Sequence, residues 1–398
     1  MTNALPTADL LARRQAIGEL LQKFAWLWRP VPYKEQTPTW CSAAPPLAAS
    51  LNALDNAQLH ALLADPDSLT HVMAQHIPAL GQLWSASQLP ACNARSAPTV
   101  DGHFIRDIPG RKWEQIVAFT QAIRPVDAPL LDWCGGKGHL GRLLGRTWGR
   151  AVTTLEHNAT LCEQGRLLAT RARQTQDFVV ADALAADSAM HLAGKHGVAL
   201  HACGQLHRTF IRAAMDQHAP ALDVAPCCYY HQAPSIYEPL GGSLAPIELT
   251  RDDLRLAVTE TVTSSPRVVR QRDQEMAWKL AYDLVRRDIS GQDIYTPQRP
   301  IPKPWLAYDF SSFCLALAAR DNLALPATLD WIGYEKKGWE RQAQTMRLAL
   351  ARVAFRRSIE VFLVLDMALC LSRHGYSVRV GTFCDRRITP RNILISAR

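Results

Sequence analysis

From Ala8 to about Trp84, apolar positions recur at helical spacing in three stretches: LLARRQAIGELLQKFAWLW, SLNALDNAQLHALLADPD and HVMAQHIPALGQLW. This part is expected to be helical. Pro30 and Pro32, in RPVPYKEQTPTW, separate the first two stretches, because proline lacks the donor that a helix interior needs. After Pro109 the pattern changes. GRKWEQIVAFTQAI reads as a helix, and short apolar runs then alternate with helical stretches: LLDWC (130–134), AVTTLEH (151–157), DFVVAD (177–182), VALHAC (198–203) and ALDVAPC (221–227). That alternation predicts a parallel sheet built from βαβ units.

The alternation stops at about Gln232. Mixed helices follow to Gly333, broken by the proline-rich TPQRPIPKPW and by a loop around SIYEPLGGSLAPIE. A long helix or helix pair is predicted over WERQAQTMRLALARVAFRRSIEVFLVLDMALCLSRHG. YSVRVGTF (376–383) and NILISAR (392–398), joined by CDRRITPR, then predict a hairpin added to the sheet edge, making seven strands. The division expected is a helical N-terminal domain over 1–100, a sheet core over 101–231, a mainly helical substrate-recognising insertion over 232–345, and completion of the core over 346–398.

Charge adds a partner class. The net charge is +8 over 398 residues, and only nine of the 44 basic side chains are Lys. From Glu335 onward there are thirteen Lys or Arg against five Asp or Glu, a surplus equal to the whole net charge. An anionic partner, nucleic acid first, fits this polarity; a solubilising basic face is the alternative. Lys336, Lys337, Arg341, Arg347, Arg352, Arg356 and Arg357 fall on the predicted helix, Arg386, Arg387 and Arg391 in the hairpin turn, and Arg106, Arg111 and Lys112 before the first strand.

The longest apolar stretch, VFLVLDMALCL, is interrupted by Asp366 and is too short to span a bilayer, and MTNALPTADLLARR lacks the form of a signal peptide. A cytoplasmic protein is expected, with its ten cysteines unpaired and a monomer slightly favoured over an oligomer. Trp278, Trp305 and Trp339 are expected in a core or domain seam.

Chemistry first shows in LLDWCGGKGHLG. Glycines between a strand and a helix make a concave nest at the helix's positive end. Lys137 is followed by Gly138 rather than Ser or Thr, so this is not an ATP-binding Walker loop. S-adenosylmethionine carries an ammonium and no pyrophosphate, which suits an acidic strand end. Asp132 would hold that ammonium directly or through water, with Cys134, Gly135, Gly136 and Gly138 letting the backbone approach. Glu156, ending the second strand, would take the ribose hydroxyls. Asp182, ending the third, would accept the adenine amino group, with Ala183 beside it and Leu184 stacked on the ring. Three carboxylates ending three successive parallel strands share one rim of the sheet; a dinucleotide is the competing ligand.

These residues resemble the seven-stranded S-adenosylmethionine-dependent methyltransferases, which implies an α/β, Rossmann-like sheet and that cofactor. Cys134 stands where the class has its first glycine. More narrowly, HACGQLHRTF, PCCYYH and FCDRRITPRNILISAR look like the methyltransferase-like 25 and glutathione-S-transferase C-terminal-domain-containing proteins, and more distantly like the tRNA 2'-O-methyltransferase of the acceptor stem. The resemblance spans about Pro109 to Ala245 and Arg347 to Arg398.

The fourth strand of that fold opens beside the transferable methyl group. His201, Cys203 and His207 are expected there, Cys203 also reading as a small buried residue. After the fifth strand comes Pro226-Cys227-Cys228-Tyr229-Tyr230-His231. Adjacent cysteines are awkward for one tetrahedral ion and no C-x-x-C pair exists, so no metal is expected. A thiolate could attack a pyrimidine. The reading preferred is a pocket in which the cysteines form the wall, Tyr229 or Tyr230 covers a base or the methyl group, and His231 orients or deprotonates the acceptor. The candidate catalytic set is therefore His201, Cys203, Cys228, Tyr229 and His231. The expected activity is methylation of structured RNA, either rRNA or tRNA. The alternatives are methylation of a protein and a degenerate methyltransferase that serves as an RNA-binding or assembly module.

Overall fold

The computed structural model describes residues 6–100, 102–242, 246–259 and 265–398, with the side chain of His103 left out. Residues 1–5, part of the stretch read against a signal peptide, and residues 243–245 of the SIYEPLGGSLAPIE loop lie outside the described residues. The chain forms two compact units: one of Met1–Lys23, Gln82–Glu260 and Arg356–Arg398, the other of Phe24–Gly81 and Thr261–Phe355. This differs from the division expected along the sequence. The helical N-terminal stretch is shared between the two units, and the long C-terminal helical stretch is a pair, Trp331–Val353 and Arg356–Arg373, whose break falls at the unit boundary.

The first unit holds the seven strands: β1 (Leu130–Trp133), β2 (Val152–Glu156), β3 (Gln176–Val180), β4 (His196–Cys203), β5 (Ala221–Cys227), β6 (Val378–Thr382) and β7 (Ile393–Ala397). Their order is β3-β2-β1-β4-β5-β7-β6. β1 to β5 pair in parallel, while β7 pairs antiparallel with both β5 and β6. It is a Rossmann-like methyltransferase sheet, flanked by N-terminal helix and interrupted by a helical insertion before its last strands. The terminal hairpin therefore enters the sheet with its last strand inward. Every residue of β7, ILISA, is buried, and that strand needs neighbours on both sides. β6 carries the half-buried Arg379 and suits the edge, where Pro90 and Cys92 bond to Thr382.

Helices α1 (Thr7–Lys23), α2 (Gly110–Ala122), α3 (His139–Trp148), α4 (Ala159–Arg171), α5 (Gln205–Asp216) and α6 (Arg356–Arg373) belong to the same unit. α1 and α6 are joined by a fully buried ion pair, Arg14 Nη2 to Asp366 at 3.2 Å. The Asp366 carboxylate also accepts from the Tyr237 hydroxyl at 2.8 Å and from the N–H groups of Leu240 and Gly241. The acid that interrupts the longest apolar run is thus a junction, and its burial is supported by three hydrogen-bond donors and one ion pair.

Near the start of the interior strand β5, Asp223 at 2.7 Å accepts from both His196 Nε2 and Arg398. Burial alone would raise its pKa, but Arg398 and His196 outweigh burial and hold it at about 2. The folded pKa lies below the unfolded one, so this group's contribution is present above about pH 4 and is lost as pH falls through 2. From the shift it amounts to about 2 kcal/mol. Denaturant unfolding of Asp223→Asn at pH 7 and pH 3 should show a loss of that order at pH 7 and a smaller further loss on acidification than in the wild type.

In the second unit the helix Pro266–Ser290 packs along Trp331–Val353, with Trp278, Tyr282, Phe310, Phe313 and Leu317 in its core. Trp278 is buried and Trp305 partly so, as expected, but Trp339 is 41% exposed and lies outside that core.

Candidate functional site

The site is built on the C-terminal ends of the parallel strands. The chain leaves β1 through Cys134, Gly136 and Gly138, all with positive φ, and Gly138 caps α3. The Gly135 N–H reaches Leu155 O on β2, and the Gly138 N–H reaches Gly135 O. Gln176 of β3 clamps the turn, donating through Nε2 to Gly138 O at 2.9 Å and to Thr154 Oγ1 at 2.8 Å. A Cβ at Gly138 would overlap this amide, whereas nothing lies within 4 Å of where a Cβ at Gly136 would stand. The loop is close-packed beneath and open above, so its tight turn forms although Cys134, at φ +56°, carries a side chain in the left-handed region.

Asp132 lies beneath this loop. It is 1% exposed and accepts the Gly141 N–H at 3.0 Å. Burial first, against the opposing Gly141 bond, raises its pKa to about 6. The carboxylate braces α3 under the loop. Glu156 stands at the rim. Its Oε2 accepts the Gly136 N–H at 3.1 Å and its Oε1 the Asn158 N–H at 3.0 Å, with His157 Nδ1 2.9 Å from the same Oε1, so the second lone pair left over is on Oε2. Beyond β3, Asp182 Oδ1 accepts the Leu184 N–H at 2.9 Å, Ala183 is buried, and Leu184 is 38% exposed. Cys134 ties these groups to one place. Burial first, then the negative groups Glu156, Asp132, Cys203 and Asp182, push its thiol up to about 12.

On the acceptor side, β4 shifts register between Leu200 and Cys203, and His201 sits there at φ +67°. Its Nε2 is 3.2 Å from Gln115 Oε1 of α2, and its Nδ1 has no partner. The amide oxygen accepts, so Nε2 carries the proton and Nδ1 the lone pair. Burial, and then Arg391, lower its pKa to about 4, with Lys112 adding to the effect. Gln115 also donates to Ile388 O in the hairpin turn. Sequence reasoning missed Gln115, because nothing local marks a glutamine whose partners lie 86 and 273 residues away.

Cys203 and Cys227 are register partners on β4 and β5, with Sγ atoms 3.3 Å apart, and Cys228 completes a thiol group within 4.8 Å. Contacts with the Cys203 and Cys227 thiols pull the Cys228 thiol well below its ordinary pKa against burial, helped by Arg391 and His231. Gly204 N–H bonds to Cys227 O and Gln205 N–H to His231 O, so the loops after β4 and β5 are stitched together. His231 is exposed. Tyr229 is not a stacking face: it is 3% exposed, and the His207 ring meets it edge to face at 5.6 Å. The available aromatic is Tyr230, half-buried, with Arg255 5.0 Å from its ring centre. Three of the seven non-glycine residues with positive φ among the described residues, Cys134, His201 and Cys228, thus fall at the ends of β1, β4 and β5. Backbone strain of this kind collects at functional sites.

Several of the basic residues expected to face a partner hold the structure instead. Arg341 is buried, Arg347 bonds to Leu54 O and Asn56, Arg356 to Thr259 O, Arg357 to Glu360, and Arg391 to Val258 O. Arg106, Arg111, Lys112 and Arg387 are exposed on the first unit.

Residues 111–233 match a family model described as a methyltransferase domain. No curated protein matches the chain. Among solved structures, one similar chain is the Pyrococcus abyssi tRNA (uracil-54, C5)-methyltransferase in complex with S-adenosyl-L-homocysteine, at 16% identity and a TM-score of 0.23, over 28% of this chain and 26% of that one. By the family model and the sheet order, residues 111–233 belong to a Rossmann-like methyltransferase domain, whose kind uses S-adenosylmethionine. The residues fit that cofactor: the nest above Gly136 is open, Glu156 Oε2 keeps a lone pair for a ribose hydroxyl, and Leu184 offers an exposed apolar face beside Asp182.

Proposed function

We propose that this protein methylates structured RNA. S-adenosylmethionine, when bound, supplies an electrophilic methyl group. In this reading Gly136 and Gly138 admit it to the loop, Glu156 holds the ribose, and Asp182 with Leu184 holds the adenine. His201, Tyr230 and His231 position an RNA oxygen or nitrogen at the ends of β4 and β5. Burial lowers the His201 pKa and so weakens it as a base; in this reading it orients the acceptor, and methyl transfer depends mainly on alignment.

The observation that carries the RNA assignment is the charge at the mouth. Lys112 of α2 and Arg391 of the hairpin turn both act electrostatically on His201, and Arg111 and Arg387 are exposed on these same two segments. Cations around a reacting pocket suit a phosphate backbone.

Lys112→Glu combined with Arg387→Glu is therefore expected to weaken RNA binding about tenfold near 0.1 M salt and to flatten the plot of log affinity against log salt by about one per charge. Filter binding over a salt series reads both. The activity is tested by incubating the purified protein with tritium-labelled S-adenosylmethionine and either RNA or protein extract from cells lacking its gene. Label in one RNA species is the expected result. Label only in protein would move the substrate class, and cofactor binding without transfer to either extract would favour a degenerate assembly module.

A further inference from the structure

We propose that Cys203, Cys227 and Cys228 bind one zinc ion as thiolates, at the acceptor end of the sheet. The obstacle in sequence was the adjacency of two cysteines, since successive strand residues face opposite ways. The backbone removes it. Cys203 and Cys227 are register partners on neighbouring strands, so their side chains share a face. Cys228 leaves the strand at φ +44°, in the left-handed region, and this reversal returns its thiol to the side of its predecessor.

The result is three sulfur atoms within 4.8 Å of one another, the closest pair at 3.3 Å. Zinc–sulfur bonds of about 2.3 Å in tetrahedral geometry set sulfurs about 3.8 Å apart. The observed spacing brackets that value, so an ion enters with side-chain shifts of less than about 1 Å.

The surroundings suit a bound ion. The Gly204 N–H bonds to Cys227 O, and His207 Nδ1 donates to the Ala202 carbonyl that Cys227 Sγ approaches at 3.8 Å, so the strand ends carrying the thiols are fixed. Cys227 is buried, while Cys203 and Cys228 are only half-buried, which leaves an entry path and a fourth position for water or a substrate atom. Sites with three protein ligands and one open position are the catalytic rather than the closed structural kind. Binding replaces the thiol protons, which pass to solvent. An ion here would lie beside the acceptor in the methyl-transfer reading, but the thiol geometry does not depend on that reading.

The full chain, purified under reductant, stripped with chelator and reloaded with zinc or with cobalt(II) as a coloured probe, provides the test. The expected result is one ion per chain by elemental analysis and a thiolate-to-cobalt charge-transfer band. Both should disappear in Cys203→Ser with Cys228→Ser. Cys228→Ser alone, at a half-buried position that leaves the strands intact, should weaken binding at least tenfold with an unchanged melting temperature. Cys41→Ser, at a half-buried position in the second unit, should change neither. Loading well below one ion per chain, or loading that survives the double substitution, would overturn the proposal; so would a Cys203–Cys227 disulfide forming in the stripped protein with no uptake of metal under reductant. No methyl transfer is read in this experiment, so its failure leaves the donor site untouched, and cofactor binding reports on that site separately.

Discussion

Glu156→Ala should weaken S-adenosylmethionine binding by about 100-fold or more while the melting temperature changes little. Two effects act together. The carboxylate already accepts the Gly136 N–H at 3.1 Å and the Asn158 N–H at 3.0 Å, so it sets the height of the loop above the sheet. In the proposed site it also supplies the charged acceptors for the ribose hydroxyls, and hydrogen bonds to a charged group are worth about 1.5–3 kcal/mol each. Losing two of them is worth about two to four powers of ten in affinity. The fold should tolerate the change, because Glu156 ends its strand and the sheet registers on either side do not use its side chain. Calorimetry and thermal melting of the same preparations read the two effects. An affinity within threefold of wild type would remove Glu156 from the site.

Gly204→Ala should be the most damaging single substitution at the acceptor side, costing about 3–5 kcal/mol of stability and abolishing methyl transfer. Gly204 has φ +57° and ψ −120°, a conformation that residues with a Cβ avoid. A Cβ there would overlap the His231 carbonyl, which accepts the Gln205 N–H. Relief requires the loop after β5 to move away from the start of α5, taking His231 and Cys228 with it. Ala at Gly242, also at positive φ but with open space around its Cβ position, is the control for backbone strain alone. Denaturant midpoints and transfer assays should separate the two variants, with Gly242→Ala retaining activity.

The seven strands were legible because the first five are short apolar runs between helical stretches and the last two flank a turn, and all five parallel strands overlap the predicted spans. The order of the last two was not, since both runs are apolar; what decides is that β7 is buried throughout while β6 must accommodate Arg379. The interleaving of the two units was also hidden, because the apolar helices of 24–81 look no different from α1, whose place is shown by the buried Arg14–Asp366 pair.

At the site, residue types at strand ends pointed to Glu156, Asp182 and His201, and the structure brings them to one end of the sheet. It withdraws Asp132 and Tyr229 into the interior, since a sequence gives strand position but not which side of a loop a carboxylate or a ring faces. The positive φ values of Cys134, His201 and Cys228 have no sequence marker, because none is a glycine. Charge misled in another way. Arginines counted as a basic face turn out to bond to Leu54, Thr259 and Val258 carbonyls, and the exposed cations at the mouth are fewer.

The central claim is that the loop from Asp132 to Gly138, with Glu156 and Asp182, is a working S-adenosylmethionine site. The most direct measurement is isothermal titration of the purified full chain with S-adenosylmethionine, repeated with Glu156→Ala and Asp182→Ala. One site per chain, with affinity lost in both variants, is the result predicted. No heat of binding in the wild-type protein, or binding that both variants retain unchanged, would contradict the account.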